Sequence, residues 1–73
     1  LIFLKGGLKM IVNGEELNFM NNITVSELLD KLNVNEETVV VEVDLEIINK
    51  DDYKIKKLSS TSKVEIIRYV GGG

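Results

Sequence analysis

Ile23-Thr24-Val25-Ser26-Glu27-Leu28-Leu29-Asp30-Lys31-Leu32-Asn33 encodes a helix together with both of its ends. Thr24 can accept a hydrogen bond at the N-cap, and Glu27 lies three residues on, completing a capping box; Ile23 and Leu28 stand at the two hydrophobic-staple positions. Val25, Leu28, Leu29 and Leu32 recur at the spacings of one helical face. Asn33 tolerates the left-handed conformation that closes a helix. Together these signals predict about two helical turns, from Val25 to Leu32.

Upstream, Met10-Ile11-Val12 is strand-like and runs into Asn13-Gly14. Both central residues of a type I′ turn need positive φ, which makes Asn-Gly the strongest short-range hairpin signal. Beyond it, Leu17 and Phe19 alternate with Glu16 and Asn18. Residues 10–20 therefore read as a β-hairpin. Downstream, Val39-Val40-Val41-Glu42-Val43 predicts an interior strand buried on at least one face. Leu45 to Ile48 reads as a short strand after a turn near Asp44, and Asn49 to Asp52 as a polar turn. Ile55 and Leu58 are expected core contacts on an irregular or short helical connection. Ser59 to Ser62 is a loop, and Lys63 to Val70 is the last strand.

The order β-β-α-β-(β)-β belongs to the α+β class. A hairpin followed by one amphipathic helix over one face of a mixed sheet is the ubiquitin-like β-grasp arrangement. The expected sheet has four to five strands packed on one main helix.

The chain of 73 residues makes one domain. It contains no cysteine, histidine or tryptophan. This excludes a disulfide, a thiolate zinc site and a thiol nucleophile, and removes the commonest general base and metal ligand. No catalytic or metal-ligating residue is expected. The absence of cysteine fits a reducing, cytoplasmic setting. A formal charge of −3 is a poor electrostatic footprint for nucleic acid. The lack of a long apolar run argues against a membrane-spanning helix. Glu15-Glu16, Glu36-Glu37 and Asp51-Asp52 read as solvated turns. Gly6-Gly7 and Gly14 lack the strand–turn–helix context of a phosphate loop.

Leu1-Ile2-Phe3-Leu4 is apolar, Lys5-Gly6-Gly7 interrupts it, and the regular pattern starts only at Met10. Residues 1–9 are accordingly expected to be a non-native or flexible extension, the alternative being an extra strand at a sheet edge. The domain is expected over residues 10–70. Gly71-Gly72-Gly73 then forms a flexible tail, since glycine loses more freedom on ordering than any other residue.

In this order, these features resemble the ThiS-type sulfur carriers of thiamine biosynthesis, and more broadly their molybdopterin-synthase small-subunit and ubiquitin-like relatives. Val12-Asn13-Gly14-Glu15 resembles the family's opening turn, and Thr24-Val25-Ser26-Glu27-Leu28-Leu29 its helix start. Val39-Val40-Val41 resembles its third strand, and Val64 to Ile67 with Val70-Gly71-Gly72-Gly73 its final strand and diglycine end. The resemblance spans Met10 to Gly73. Three places depart from it: Asp44-Leu45 replaces an Asn-Gly turn, Asn49-Lys50 and Tyr53 replace a Pro-Arg pair and a Trp, and Thr61-Ser62 replaces Gly-Asp.

The resemblance implies that the Gly73 carboxylate is adenylated by an E1-like, ATP-using adenylyltransferase of the ThiF type. Sulfur supplied ultimately by a cysteine desulfurase then gives a thiocarboxylate, from which a thiazole synthase of the ThiG type takes the sulfur. The chain would be a protein cosubstrate, not an enzyme. It would bind no cofactor, and the activating partner would use the ATP. Gly71 and Gly72 would keep the arm thin. Tyr69, Val70, Ile67 and Leu58 are candidates for partner contact, with core packing the alternative for Leu58 and Ile67. The alternative functions are the molybdopterin-synthase small subunit and a β-grasp interaction module without carrier chemistry.

Overall fold

A computed structural model describes residues 10–18 and 22–69. These form strands β1 (Met10–Val12), β2 (Glu15–Leu17), β3 (Val39–Val43), β4 (Glu46–Ile47) and β5 (Lys63–Arg68), with one α-helix, α1 (Val25–Lys31). The strands make a single sheet in the order β2-β1-β5-β3-β4. β1 and β5 run parallel, and the other neighbours are antiparallel. The expected mixed sheet with one main helix is what the chain forms.

The hairpin turns where Asn13-Gly14 requires it, with φ of 51° and 84°. β2 ends at Leu17, short of the expected extent, and Phe19 and Met20 lie outside the described residues. In α1 the Glu27 N–H donates to Thr24 Oγ1 at 3.1 Å, and the Thr24 N–H donates to Glu27 Oε1 at 2.8 Å. The capping box thus satisfies two orphan N–H groups at the helix start. At the other end Asn33 has φ 63°. Its N–H donates to the Asp30 carbonyl at 3.0 Å, and the Val34 N–H to that of Leu29 at 2.9 Å. This pair of bonds is a Schellman closure.

The helix lays Val25, Leu28 and Leu29 on one face of the sheet. Val39, Val41 and Val43 of β3 meet them, as do Met10, Val12 and Val64. Val40 and Glu42 alternate with the buried valines and fall on the open face, as a period of two demands.

Two expectations need correction. Ile55 is not a core contact; it is 68% exposed. A one-turn 3₁₀ helix at Lys50–Asp52 continues into a turn, with Tyr53 buried. In a helical turn residues two apart point away from each other, so a buried Tyr53 turns Ile55 outward. Leu58, by contrast, is buried in the core at 1% exposure. Its N–H donates to the Ile23 carbonyl at 2.7 Å, tying it to the start of α1. It cannot form an exposed apolar cluster with Ile67 and Tyr69, and it is corrected from partner contact to core.

Candidate tail-exit site

β5 occupies the middle of the sheet, between β1 and β3, and the chain leaves the sheet from its end. Arg68 is opposite Val39 on β3. One residue further, the Tyr69 N–H donates to the Thr38 carbonyl at 2.9 Å, prolonging the ladder to the last described residue. Val70, Gly71, Gly72 and Gly73 lie outside the described residues.

Two short 3₁₀ turns border this exit. One, Glu36–Thr38, is capped by Asn35, whose Oδ1 accepts from the Glu37 N–H at 2.9 Å. The other, Lys50–Asp52, is capped by Asn49, whose Oδ1 accepts from the Asp51 N–H at 3.3 Å. Lys50 Nζ lies 5.4 Å from the centroid of the Tyr69 ring, within cation–π range.

Charges on these turns are tied to the helix. Ser26 Oγ donates to Glu36 Oε1 at 2.7 Å, and Lys54 Nζ stands 3.5 Å from Glu36 Oε2. The Ser26 hydroxyl chiefly holds the Glu36 carboxyl below its usual range; burial opposes this, and Lys54 and Lys50 add to the lowering. Behind them Tyr53 is buried. Its hydroxyl accepts from the Val41 N–H at 3.1 Å and lies 3.5 Å from the Val39 carbonyl.

The open face of the sheet carries the apolar surface nearest the exit. Ile67 is 46% exposed and stands directly opposite half-buried Val40. Tyr69 is 56% exposed. Glu42 lies between Glu65 and Ile47 across the three neighbouring strands. The structure therefore brings Ile67 together with Val40, and Tyr69 with Lys50 and Thr38. Alternation along β3 was enough to put Val40 on the open face. Lys50 gave no such signal, because its meeting with Tyr69 depends on how residues 48–62 return to the sheet. Among the described residues, no cluster of three acidic, histidine or cysteine side chains could hold a metal ion. No described helix is long and apolar enough to cross a membrane.

The chain matches the model of the ThiS family over residues 4–73. It is 41% identical over 66 residues to a thiazole synthase of Paramagnetospirillum magneticum, covering 90% of this chain but 20% of that protein. It is 32% identical over 63 residues to the sulfur carrier protein ThiS of Bacillus subtilis, covering 85% of this chain and 96% of that one. Its fold superposes on the crystal structure of the thiamine biosynthesis protein ThiS from Geobacter metallireducens with a TM-score of 0.78 at 28% identity, covering 89% and 99% of the two chains.

Proposed function

The chain belongs to the ThiS family of small sulfur carriers in thiamine biosynthesis, and we propose that its working group is the carboxylate of Gly73. The observation that carries this reading is the extent of the family match, which runs through residue 73 and so includes Gly71, Gly72 and Gly73.

A carboxylate is a poor electrophile. Attack of the carboxylate on ATP releases pyrophosphate and makes an acyl-adenylate. A protein persulfide then displaces AMP to form an acyl disulfide. A second thiol cleaves its S–S bond, leaving a disulfide and the thiocarboxylate. The activating partner is an E1-like enzyme of the ThiF type, with a cysteine desulfurase as the ultimate sulfur source. The acceptor is a thiazole synthase. Similarity to a thiazole synthase and to thiamine carriers favours this acceptor over molybdopterin. The chain acts as cosubstrate in the cytoplasm, with no cofactor of its own.

Glycine has no side chain to obstruct a narrow active site. The four residues after Tyr69 reach at most roughly 13–14 Å when extended. Ordering them costs on the order of 1–2 kcal/mol each. The folded body must offset that cost by docking, and exposed Ile67 and Tyr69 supply apolar surface beside the start of the arm.

The test is intact-mass spectrometry after incubation with ATP, the ThiF-type enzyme, cysteine, a desulfurase and a thiol reductant. The expected product has gained the mass difference of one oxygen exchanged for sulfur. An unchanged mass, with the same enzymes active on another carrier, would overturn the proposal.

A further inference from the structure

Tyr69 is the last described residue before the tail, and two contacts hold it. Its N–H donates to the Thr38 carbonyl at 2.9 Å, which fixes the backbone. Lys50 Nζ lies 5.4 Å from its ring centroid, which engages the side chain. Lys50 itself is half-buried in a 3₁₀ turn, and its carbonyl accepts the Tyr53 N–H at 3.1 Å. Tyr53 is locked to β3 through its hydroxyl. The lysine is thus presented from a braced element. The one ion pair among the described residues joins Lys54 to Glu36; the Lys50 ammonium lies over the Tyr69 ring and also acts at longer range on the Glu36 carboxylate.

We propose that Lys50 is a positioning residue: by seating its ammonium on the Tyr69 ring, it fixes the residue from which the tail departs. The inference rests on the reading of Gly73 as the working end. Without the lysine, Tyr69 keeps its hydrogen bond to Thr38 but its ring can swing, and the residue at the start of the arm is held less firmly. Fewer encounters with the activating enzyme are then productive. The consequence falls on association of the carrier, not on the chemical step.

The test uses the full chain. In wild-type protein alone, the Lys50 ε-methylene protons should be shifted upfield by the Tyr69 ring current, and Tyr69→Leu should abolish that shift. Its absence in the wild type would overturn the clamp without any partner. In ATP-dependent adenylation by the ThiF-type enzyme, Lys50→Met should raise the KM for the carrier roughly two- to fivefold, the weight of an exposed cation–π contact. kcat and the melting temperature should stay unchanged. Lys50→Arg, whose guanidinium also stacks on aromatic faces, should restore the wild-type KM. In a Tyr69→Leu background Lys50→Met should add nothing. A further loss there would show that Lys50 touches the enzyme directly, and an unchanged KM in the wild-type background would show that positioning is not its role. Failure of the wild type to be adenylated would instead overturn the carrier reading, leaving the ring-current result to judge the clamp.

Discussion

The phenol of Tyr53 takes the place of a missing strand residue. β4 ends at Ile47, and the Val41 N–H on the same edge of β3 is met by the Tyr53 hydroxyl instead. Tryptophan, which the family places here by resemblance, can only donate and could not serve that N–H. Tyr53→Phe leaves the N–H buried and unpaired, and should cost about 1–3 kcal/mol. The urea midpoint should fall with the m value unchanged. Burial also raises the phenol above its ordinary 10.0. Because the folded state favours the protonated phenol, stability present below the ordinary value should decline as pH rises toward the folded one. Glu36 behaves oppositely. Its folded pKa is depressed below 4.5, chiefly by the Ser26 hydroxyl. Its contribution is therefore present above that value and lost as pH falls through the folded one. Ser26→Ala should flatten the acid limb of a melting-temperature profile, and an unchanged limb would remove Glu36 as its source. The Tyr53 residue could be read in the sequence as a departure from the family pattern. Its partner could not, because only the folded sheet shows where β4 stops.

Two hairpin turns that both take positive φ at their two central residues are built from different residues. Asn13-Gly14 suits positive φ at both positions. Asp44-Leu45 adopts φ of 51° and 73° without a glycine, and Leu45 is 85% exposed. A left-handed conformation costs an ordinary L-residue roughly 1–2 kcal/mol. Leu45→Gly should therefore stabilise the fold by about 1 kcal/mol, after glycine's larger entropy loss is set against the relieved strain. A chemical-denaturation curve that moves the other way would mean that Leu45 makes an apolar contact worth more than its strain. Asn13 also does more than turn the chain. Its Oδ1 accepts from the Ile66 N–H at 2.7 Å, joining the hairpin to the last strand. Asn13→Gly keeps the turn and loses the link, at a cost of about 1 kcal/mol. Helix α1 was legible to within a residue, because capping and Schellman bonds join groups three to five positions apart. Ile55 was misread because apolarity alone cannot say which side of a turn faces inward. The side-chain link from Asn13 to Ile66 spans the chain and leaves no local pattern.

At the scale of the whole molecule, the strand that leads to the tail is also the central one of the sheet. β5 is paired on both sides, with its Val64 fully buried, while Tyr69 one residue beyond its end is largely exposed. This sheet order was not legible from local pattern. Parallel pairing of β1 with β5 joins segments some fifty residues apart, and periodicity says nothing about which strands become neighbours. The β-grasp resemblance supplied a mixed sheet on one helix, without the order of its strands. Local composition did mark the change at residue 71, where β-prone residues give way to glycine. This arrangement separates the stability of the body from the proposed work of the tail. Val64→Ala removes two methyl groups at the centre of the core, and should cost about 2–3 kcal/mol by lost transfer energy and the cavity left behind. Under conditions where the variant is folded, its thiocarboxylate yield should match the wild type, because the exit and the arm are untouched. Deleting Gly73 should do the reverse. The described body makes its sheet and core without that residue, so the melting temperature should hold, while the shortened arm should no longer bring its end carboxylate to the site of adenylation. Calorimetry and intact-mass analysis of the two variants side by side test this separation. A large fall in melting temperature on losing Gly73 would mean that the end of the chain packs on the body and is not a free arm.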